Sequence, residues 1–368
     1  MKILIFLFLT LFIICISSPI IANTPIPVIQ IKKVLEISDE GGDKGFYFKR
    51  PANIKIAPDG SIFLIDENQF LRFDRAGKFL NNQQKKGAGP SEYAFIYNYD
   101  FLGDKIILLT GPTQKVIETD LTGKLLKEYR LEKNIGFLKV VKFSEDRIWF
   151  VGSTLRDLSK QELGKSKAEF KLGYISQEGK LVDSNIFFNE EWFLMKKAFG
   201  ENVQVMMTSL VPIVYSSDKG NNLFISDSGE YKIHKVDLKK IKKTEDFSRK
   251  FERIPYEDEG VKEEKGRKDI SIPAPEYYND ILKLMVYDDY LFVLTAKVEK
   301  GKGVIVDVFF KDGKYLKRFY LPLPQFKTVK DVMVTPLNID NSFIYTIETD
   351  EEDNKVLIKY EGDFSFLK

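Results

Sequence analysis

Side chains able to do chemistry are sparse in this chain. Histidine occurs once, at His234, and cysteine once, at Cys15. A single histidine excludes a His-rich zinc site and leaves a Ser-His-Asp hydrolase only one residue to be built around. In Tyr231-Lys232-Ile233-His234-Lys235-Val236 the histidine alternates with apolar positions, which places it on the exposed face of a strand as an incidental surface residue. Gly87-Ala88-Gly89-Pro90 has the glycines of a phosphate cradle. A phosphate loop needs Gly-Lys-Ser/Thr opening a helix, whereas Ser91-Glu92-Tyr93 follows here, so the segment reads as a structural loop. What remains is oxygen chemistry: acidic and amide side chains that matter only where a fold brings them together.

The first residues bear on compartment. Lys2 gives a positive start, Ile3 to Ile16 are almost wholly apolar, and Ser17-Ser18-Pro19-Ile20-Ile21-Ala22 follows. That order describes a secretory signal peptide over residues 1–22, cut after Ala22. A spanning helix would need about 20 apolar residues, and this run is broken at Ser17 and Pro19. Lipidation of Cys15 would want a small residue before it, and Ile14 is large. With the signal removed no cysteine remains, so disulfides and thiolate metal sites drop out. The expected location is periplasmic or extracellular, as a monomer without a membrane span. Lys and Arg number 56 against 54 Asp and Glu, a balance that offers no field for nucleic acid or anionic lipid. Aromatics at 13% suit packed sheets.

The elements that must position any site are repeated. Short apolar runs recur at Ile62–Ile65, Ile106–Leu109, Ile148–Val151, Leu223–Ser226, Leu291–Leu294 and Phe343–Thr346. Each follows a turn signal: Pro58-Asp59-Gly60, Gly103-Asp104, Ser144-Glu145-Asp146, Asp218-Lys219-Gly220, Asp288-Asp289 and Asp340-Asn341. Runs so bounded are strands buried on both faces. An alternating strand and a second turn come next, ending in Gly-Lys at Gly77-Lys78, Gly123-Lys124, Gly179-Lys180 and Gly313-Lys314. Blade four lacks that glycine, having Asp237-Leu238-Lys239-Lys240 instead. Four antiparallel strands in a unit of about 40–50 residues make a propeller blade. The predicted fold is all-β: a six-bladed β-propeller filling residues 23–368 as one domain. The last unit lacks a fourth strand, and the spare strand Val28–Ile37 is expected to complete it and close the ring. Three inserts interrupt the pattern. Residues 155–170 read as a polar loop. Residues 187–207 read as an amphipathic helical turn or two, whose Trp192, Phe193 and Phe199 either pack down or form a partner patch. Residues 239–276, highly charged, read as a long mobile loop.

Phe48-Lys49-Arg50-Pro51-Ala52-Asn53-Ile54-Lys55-Ile56-Ala57-Pro58-Asp59-Gly60, then Phe73-Asp74-Arg75-Ala76-Gly77-Lys78-Phe79 and Gly87-Ala88-Gly89-Pro90-Ser91-Glu92-Tyr93, resemble the secreted bacterial six-bladed β-propellers related to NHL-repeat proteins. The resemblance is strong over residues 48–130 and implies a fold and export but no reaction. A propeller's natural site is the mouth of its central channel, lined by the first strands and the loops entering them. The candidates there are Arg50 and Asn53 in blade one, Tyr99 and Asp100 in blade two, and Lys142 in blade three. Asn279 and Asp280 in blade five and Lys330 and Asp331 in blade six complete the set. Six-bladed lactonase-like hydrolases hold calcium at that place, and Asn53, Asp100, Asp280 and Asp331 could supply such a shell; otherwise the same residues are a polar lining without metal. Two functions follow as expectations. One is a non-enzymatic propeller holding a protein, peptide or glycan, with no cofactor; the other is a calcium-dependent lactonase-like hydrolase or lyase.

Overall fold

The computed structural model describes residues 25–39, 45–111, 115–132, 137–153, 164–199, 202–257 and 275–367. The predicted signal peptide, residues 1–22, lies outside them. Six antiparallel sheets are formed, five of four strands and one of five. Blade one is β2 (Pro51–Ile56), β3 (Ile62–Asp66), β4 (Gln69–Phe73) and β5 (Phe79–Asn82). Blade two is β6 (Phe95–Leu102), β7 (Lys105–Gly111), β8 (Lys115–Asp120) and β9 (Leu125–Arg130). Blade three has β10 (Phe137–Phe143), β11 (Arg147–Ser153), β12 (Gly164–Ser176), β13 (Leu181–Phe199) and β14 (Asn202–Val211). Blade four is β15 (Val214–Ser217), β16 (Asn222–Ser226), β17 (Lys232–Asp237) and β18 (Lys242–Ser248). Blade five is β19 (Ile281–Tyr287), β20 (Tyr290–Glu299), β21 (Gly303–Phe310) and β22 (Tyr315–Leu321). Blade six is β23 (Leu337–Asp340), β24 (Phe343–Thr349), β25 (Lys355–Gly362) and, from the other end of the chain, β1 (Ile31–Ile37).

The six apolar runs are the second strands, and they are buried because blades stack face to face. Phe63 and Phe70 of blade one pack with Phe101 and Tyr99 of blade two at ring separations of 5.1 and 4.8 Å. Phe292 and Val306 of blade five lie in one cluster with Ile344 and Ile358 of blade six. The first strands lie innermost, and neighbouring ones touch around the axis. Closure is as the spare strand implied. β1 pairs with β25 from Ile31↔Gly362 to Ile37↔Leu357. Just before it, Val28 bridges Tyr320 of blade five, with Ile29 N–H donating to the Tyr320 carbonyl at 3.2 Å. The N-terminal segment thus ties blade five to blade six.

The four Gly-Lys turns behave alike. Gly77, Gly123, Gly179 and Gly313 have φ of +84°, +86°, +80° and +85°, a region L-residues avoid. In the first, the Asp74 carboxylate accepts from the Ala76 and Lys78 N–H groups, each at 2.9 Å. Blade four, without the glycine, forces Ile241 to φ +51°, a costly place for a β-branched residue.

Two of the inserts are sheet. The described residues of 187–207 are not helical: 187–199 belong to β13 and 202–207 to β14, which pair and give blade three its fifth strand. Burial rather than polarity alternates here: Ile186, Phe188, Glu190, Trp192 and Leu194 take the buried face of the strand, and Trp192 is buried against Phe170 with rings stacked at 6.3 Å. Phe193 is only partly buried, and the side chain of Phe199 is not among those described. Residues 164–170 extend β12 in register with β13, while 155–163 lie outside the described residues. Of the charged stretch 239–276, residues 242–248 form β18, and two arginines beyond it are pinned. Arg249 reaches the fully buried Asp307 at 3.2 Å and Arg253 reaches Asp280 at 3.3 Å. These two arginines join blade four to blade five, whereas residues 258–274, which carry the Lys262–Lys268 charges, lie outside the described residues.

Candidate functional site

Four of the six first strands carry a bulge: between Ala52 and Lys55 in β2, Ile96 and Asn98 in β6, Val140 and Lys142 in β10, and Ile281 and Lys283 in β19. A bulge adds a residue and re-aims the side chains that follow it. In β2 the extra residue is Asn53, at φ +51°. Beyond the bulges the strands converge on a cavity of about 580 Å³, lined by residues from all six blades. The described lining includes Lys55, Lys142, Lys219 and Lys311 against Asp100, Asp218, Asp288 and Asp340, with Asn53, Asn98, Asn338, Ser216 and Ser217 between them. Phe101, Phe143 and Tyr215 add aromatic surface.

These polar groups bridge neighbouring blades. Asn53 Nδ2 donates to Asn98 Oδ1 at 3.0 Å, and Lys55 Nζ lies 3.1 Å from Asp100 Oδ2, joining blades one and two. Asn98 Nδ2 donates to the Val140 carbonyl of blade three at 3.2 Å. The Lys142 ammonium donates to the Asp218 carbonyl of blade four, and the Ser216 hydroxyl accepts from the Val286 N–H of blade five at 3.0 Å. Burial pushes the Lys142 ammonium below its usual value, against the opposing pull of Asp218 and Asp100. Asp218 is itself held, accepting from Asn222 N–H at 2.9 Å and Asn222 Nδ2 at 2.6 Å. The mouth is therefore preorganised, with equal numbers of cationic and anionic side chains.

Three of the sequence candidates meet here: Asn53, Asp100 and Lys142. The others do not. Tyr99 is fully buried between blades one and two, its one hydroxyl proton shared between the carbonyls of Asn53 at 2.7 Å and Phe63 at 2.9 Å. Arg50 precedes β2 and is exposed, 3.8 Å from Glu67. Asp280 is buried before β19 and paired with Arg253, and its neighbour Asn279 lines a different cavity. Lys330 and Asp331 belong to α1 (Val329–Val334), a short helix preceding blade six rather than its first strand. Asp331 closes a capping box there, accepting from Thr328 N–H at 2.7 Å while Thr328 Oγ1 accepts from Asp331 N–H. Asn53, Asp100, Asp280 and Asp331 accordingly do not form one shell, and among the described residues no three His, Cys, Asp or Glu side chains gather to hold a metal ion. The mouth residues missed had a signal: Asp218, Lys219, Gly220 and Asp288 are turn residues between first and second strands, and Asp340 ends the first strand of blade six.

His234 also departs from expectation. It is buried, with Nδ1 2.6 Å from Asp246 and Nε2 3.0 Å from Asp227. Burial would raise the Asp227 carboxyl, but the hydrogen bonds from His234 and from Asn189 N–H hold it below the usual range. Asn189 belongs to β13, so this group ties blade four to blade three. The Gly-x-Gly-Pro loop is structural, as read. The Lys115 ammonium, 1% exposed, contacts the carbonyls of Gly89 at 2.7 Å, Glu92 at 3.1 Å and Ala88 at 3.4 Å, and Glu128 at 3.0 Å. A Cβ on Gly87 would fall 2.0 Å from the Glu92 carboxylate.

A sequence model of the family described as 6-bladed beta-propeller matches residues 42–253. The chain belongs to that family. No curated protein matches the propeller's sequence. Among solved structures, a candidate exported protein from Bacteroides fragilis is 14% identical, with 90% of this chain and 95% of that one covered at a TM-score of 0.49. A gluconolactonase from Xanthomonas campestris is 12% identical, covering 92% and 96% at a TM-score of 0.46. A chain of the mitotic checkpoint complex is 8% identical, covering 92% and 94% at 0.40. Identities this low carry no activity or partner over to this propeller. Among the described residues no helix is long and apolar enough to cross a membrane.

Proposed function

We propose that this propeller is an exported binding module that takes the end of a glycan in its polar channel mouth. The observation that carries this reading is the lining of the cavity of about 580 Å³, with four lysines against four aspartates and amides and hydroxyls between them. A wall without net charge but rich in donors and acceptors suits a neutral ligand whose groups both donate and accept, as sugar hydroxyls do. Phe101, Phe143 and Tyr215 offer faces against which a sugar ring can pack. Export is supported by the signal peptide predicted over residues 1–22, and kinship with NHL-repeat proteins by the resemblance of residues 48–93. Binding without chemistry is favoured because the described lining holds no histidine or cysteine, and Lys55, Asp100 and Lys142 are engaged in bridging blades.

A glycan and peptide array probed with the purified protein and with its Asp100→Asn, Lys142→Met variant tests this. Retention on neutral glycans that the variant loses is the expected result. Retention on peptides alone would transfer the site to a peptide ligand, and binding that the variant keeps would refute the mouth as the site.

A further inference from the structure

A second cavity, of about 350 Å³, lies by the starts of the first strands of blades four to six. Its character is the reverse of the first. Pro212, Ile213, Leu282, Met333 and Leu337 form an apolar wall, and Lys283 of β19 is the one charged side chain of the described lining. Tyr215 lines both cavities and so stands between them. The Lys283 ammonium donates to the Met333 carbonyl at 3.0 Å, near the end of α1. Among the described residues it makes no ion pair, and burial alone pushes its amine down to about 8. The half-buried ammonium lies beside apolar side chains with no counter-ion among the described residues, and a ligand carboxylate would pair with it. The apolar character continues outward, since Met333 and Val334 are 40% and 78% exposed at the end of the helix.

We propose that Lys283 and this apolar wall form a second binding site, for a carboxylate that carries an apolar chain. The carboxylate would pair with the Lys283 ammonium and the chain would lie along Ile213, Leu282 and Leu337. A volume of about 350 Å³ is at the lower end for small-molecule sites, so a medium-length alkyl or aryl carboxylate fits better than a long lipid. The site does not depend on the glycan reading of the other mouth.

Calorimetric titration of the full protein with octanoate and with octanol is the test. Octanoate is expected to bind, and octanol about tenfold more weakly or not at all. Lys283→Met should lower octanoate affinity about tenfold while Lys283→Arg restores most of it, and Asp100→Asn at the far mouth should leave it unchanged. Thermal unfolding of each variant establishes that it is folded before titration. No octanoate binding by the wild type would overturn the proposal, as would equal binding of octanol, or undiminished binding by a folded Lys283→Met or Lys283→Gln protein.

Discussion

Replacing Lys115 with methionine should destabilise the propeller by about 3 kcal/mol, although Lys115 touches neither cavity. Methionine fills nearly the same space, so the loss is electrostatic and falls on the partners left behind. Three carbonyls of the Gly87–Glu92 loop lose a charged donor, and Glu128 loses its counter-ion. Breaking a buried pair by removing one partner costs about 3–5 kcal/mol, because the remaining charge stays buried without compensation. Glu128 is 20% exposed and also accepts from Ser91 N–H at 2.6 Å, which places the cost at the lower end of that range. Urea unfolding reads the change as a lowered midpoint at unchanged slope. Hydrogen exchange should show the loop between blades one and two opening before the sheets do. Adding Glu128→Gln to Lys115→Met should recover part of the loss, because the stranded carboxylate is gone. A loss below about 1 kcal/mol, or a double variant less stable than the single one by the full cost of a second independent site, would refute the reasoning.

Ile241→Gly should stabilise the protein by about 1 kcal/mol, since it removes a β-branched residue from φ +51° at a half-exposed turn, and urea unfolding would read it. Deleting residues 23–38 removes β1, leaving β25 as an open edge, and should give aggregated protein by size-exclusion chromatography; a monomeric, folded truncation would count against closure by β1. Asp227→Asn should cost about 2 kcal/mol at pH 7 by weakening a charge-assisted bond to His234. Asp227 is held below its ordinary value in the folded chain, so its contribution is present above the unfolded value and fades as pH falls through the folded one. The difference between wild type and Asp227→Asn should therefore narrow in urea unfolding from pH 7 toward pH 3.

Much of the fold was legible because its signals are local. The six buried runs and four Gly-Lys turns need only the neighbours in sequence, and the spare strand before Ile37 found its place by elimination. The hairpin of β13 and β14 was not legible, since Glu190-Glu191-Trp192-Phe193-Leu194 fits either a short helix or a strand until Trp192 is seen to stack on Phe170. The mouth was half legible. Asn53, Asp100 and Lys142 were found, but each bulge shifts which side chain faces the axis, and a bulge leaves no mark in the apolar pattern. Blade six went astray for another reason. Thr328-Val329-Lys330-Asp331 is a capping box, and reading it as one would have moved the first strand to Leu337–Asp340. His234 was misplaced because alternation tells which face a residue takes and not what covers that face. Asp227, Asp246 and the neighbouring blade cover it.

The polar mouth as the place where ligand enters can be tested by blocking it. The only cysteine is Cys15, within the predicted signal, so the chain from Asn23 accepts a single new thiol. Ser217→Cys places it in the polar mouth, and Val334→Cys places it on the exposed end of α1 beside the second cavity. Each is labelled with a bulky maleimide and titrated with a glycan retained on the array. Labelling at Ser217→Cys should abolish binding and labelling at Val334→Cys should leave it intact. Equal binding by both labelled proteins would contradict the assignment of the polar mouth as the binding site.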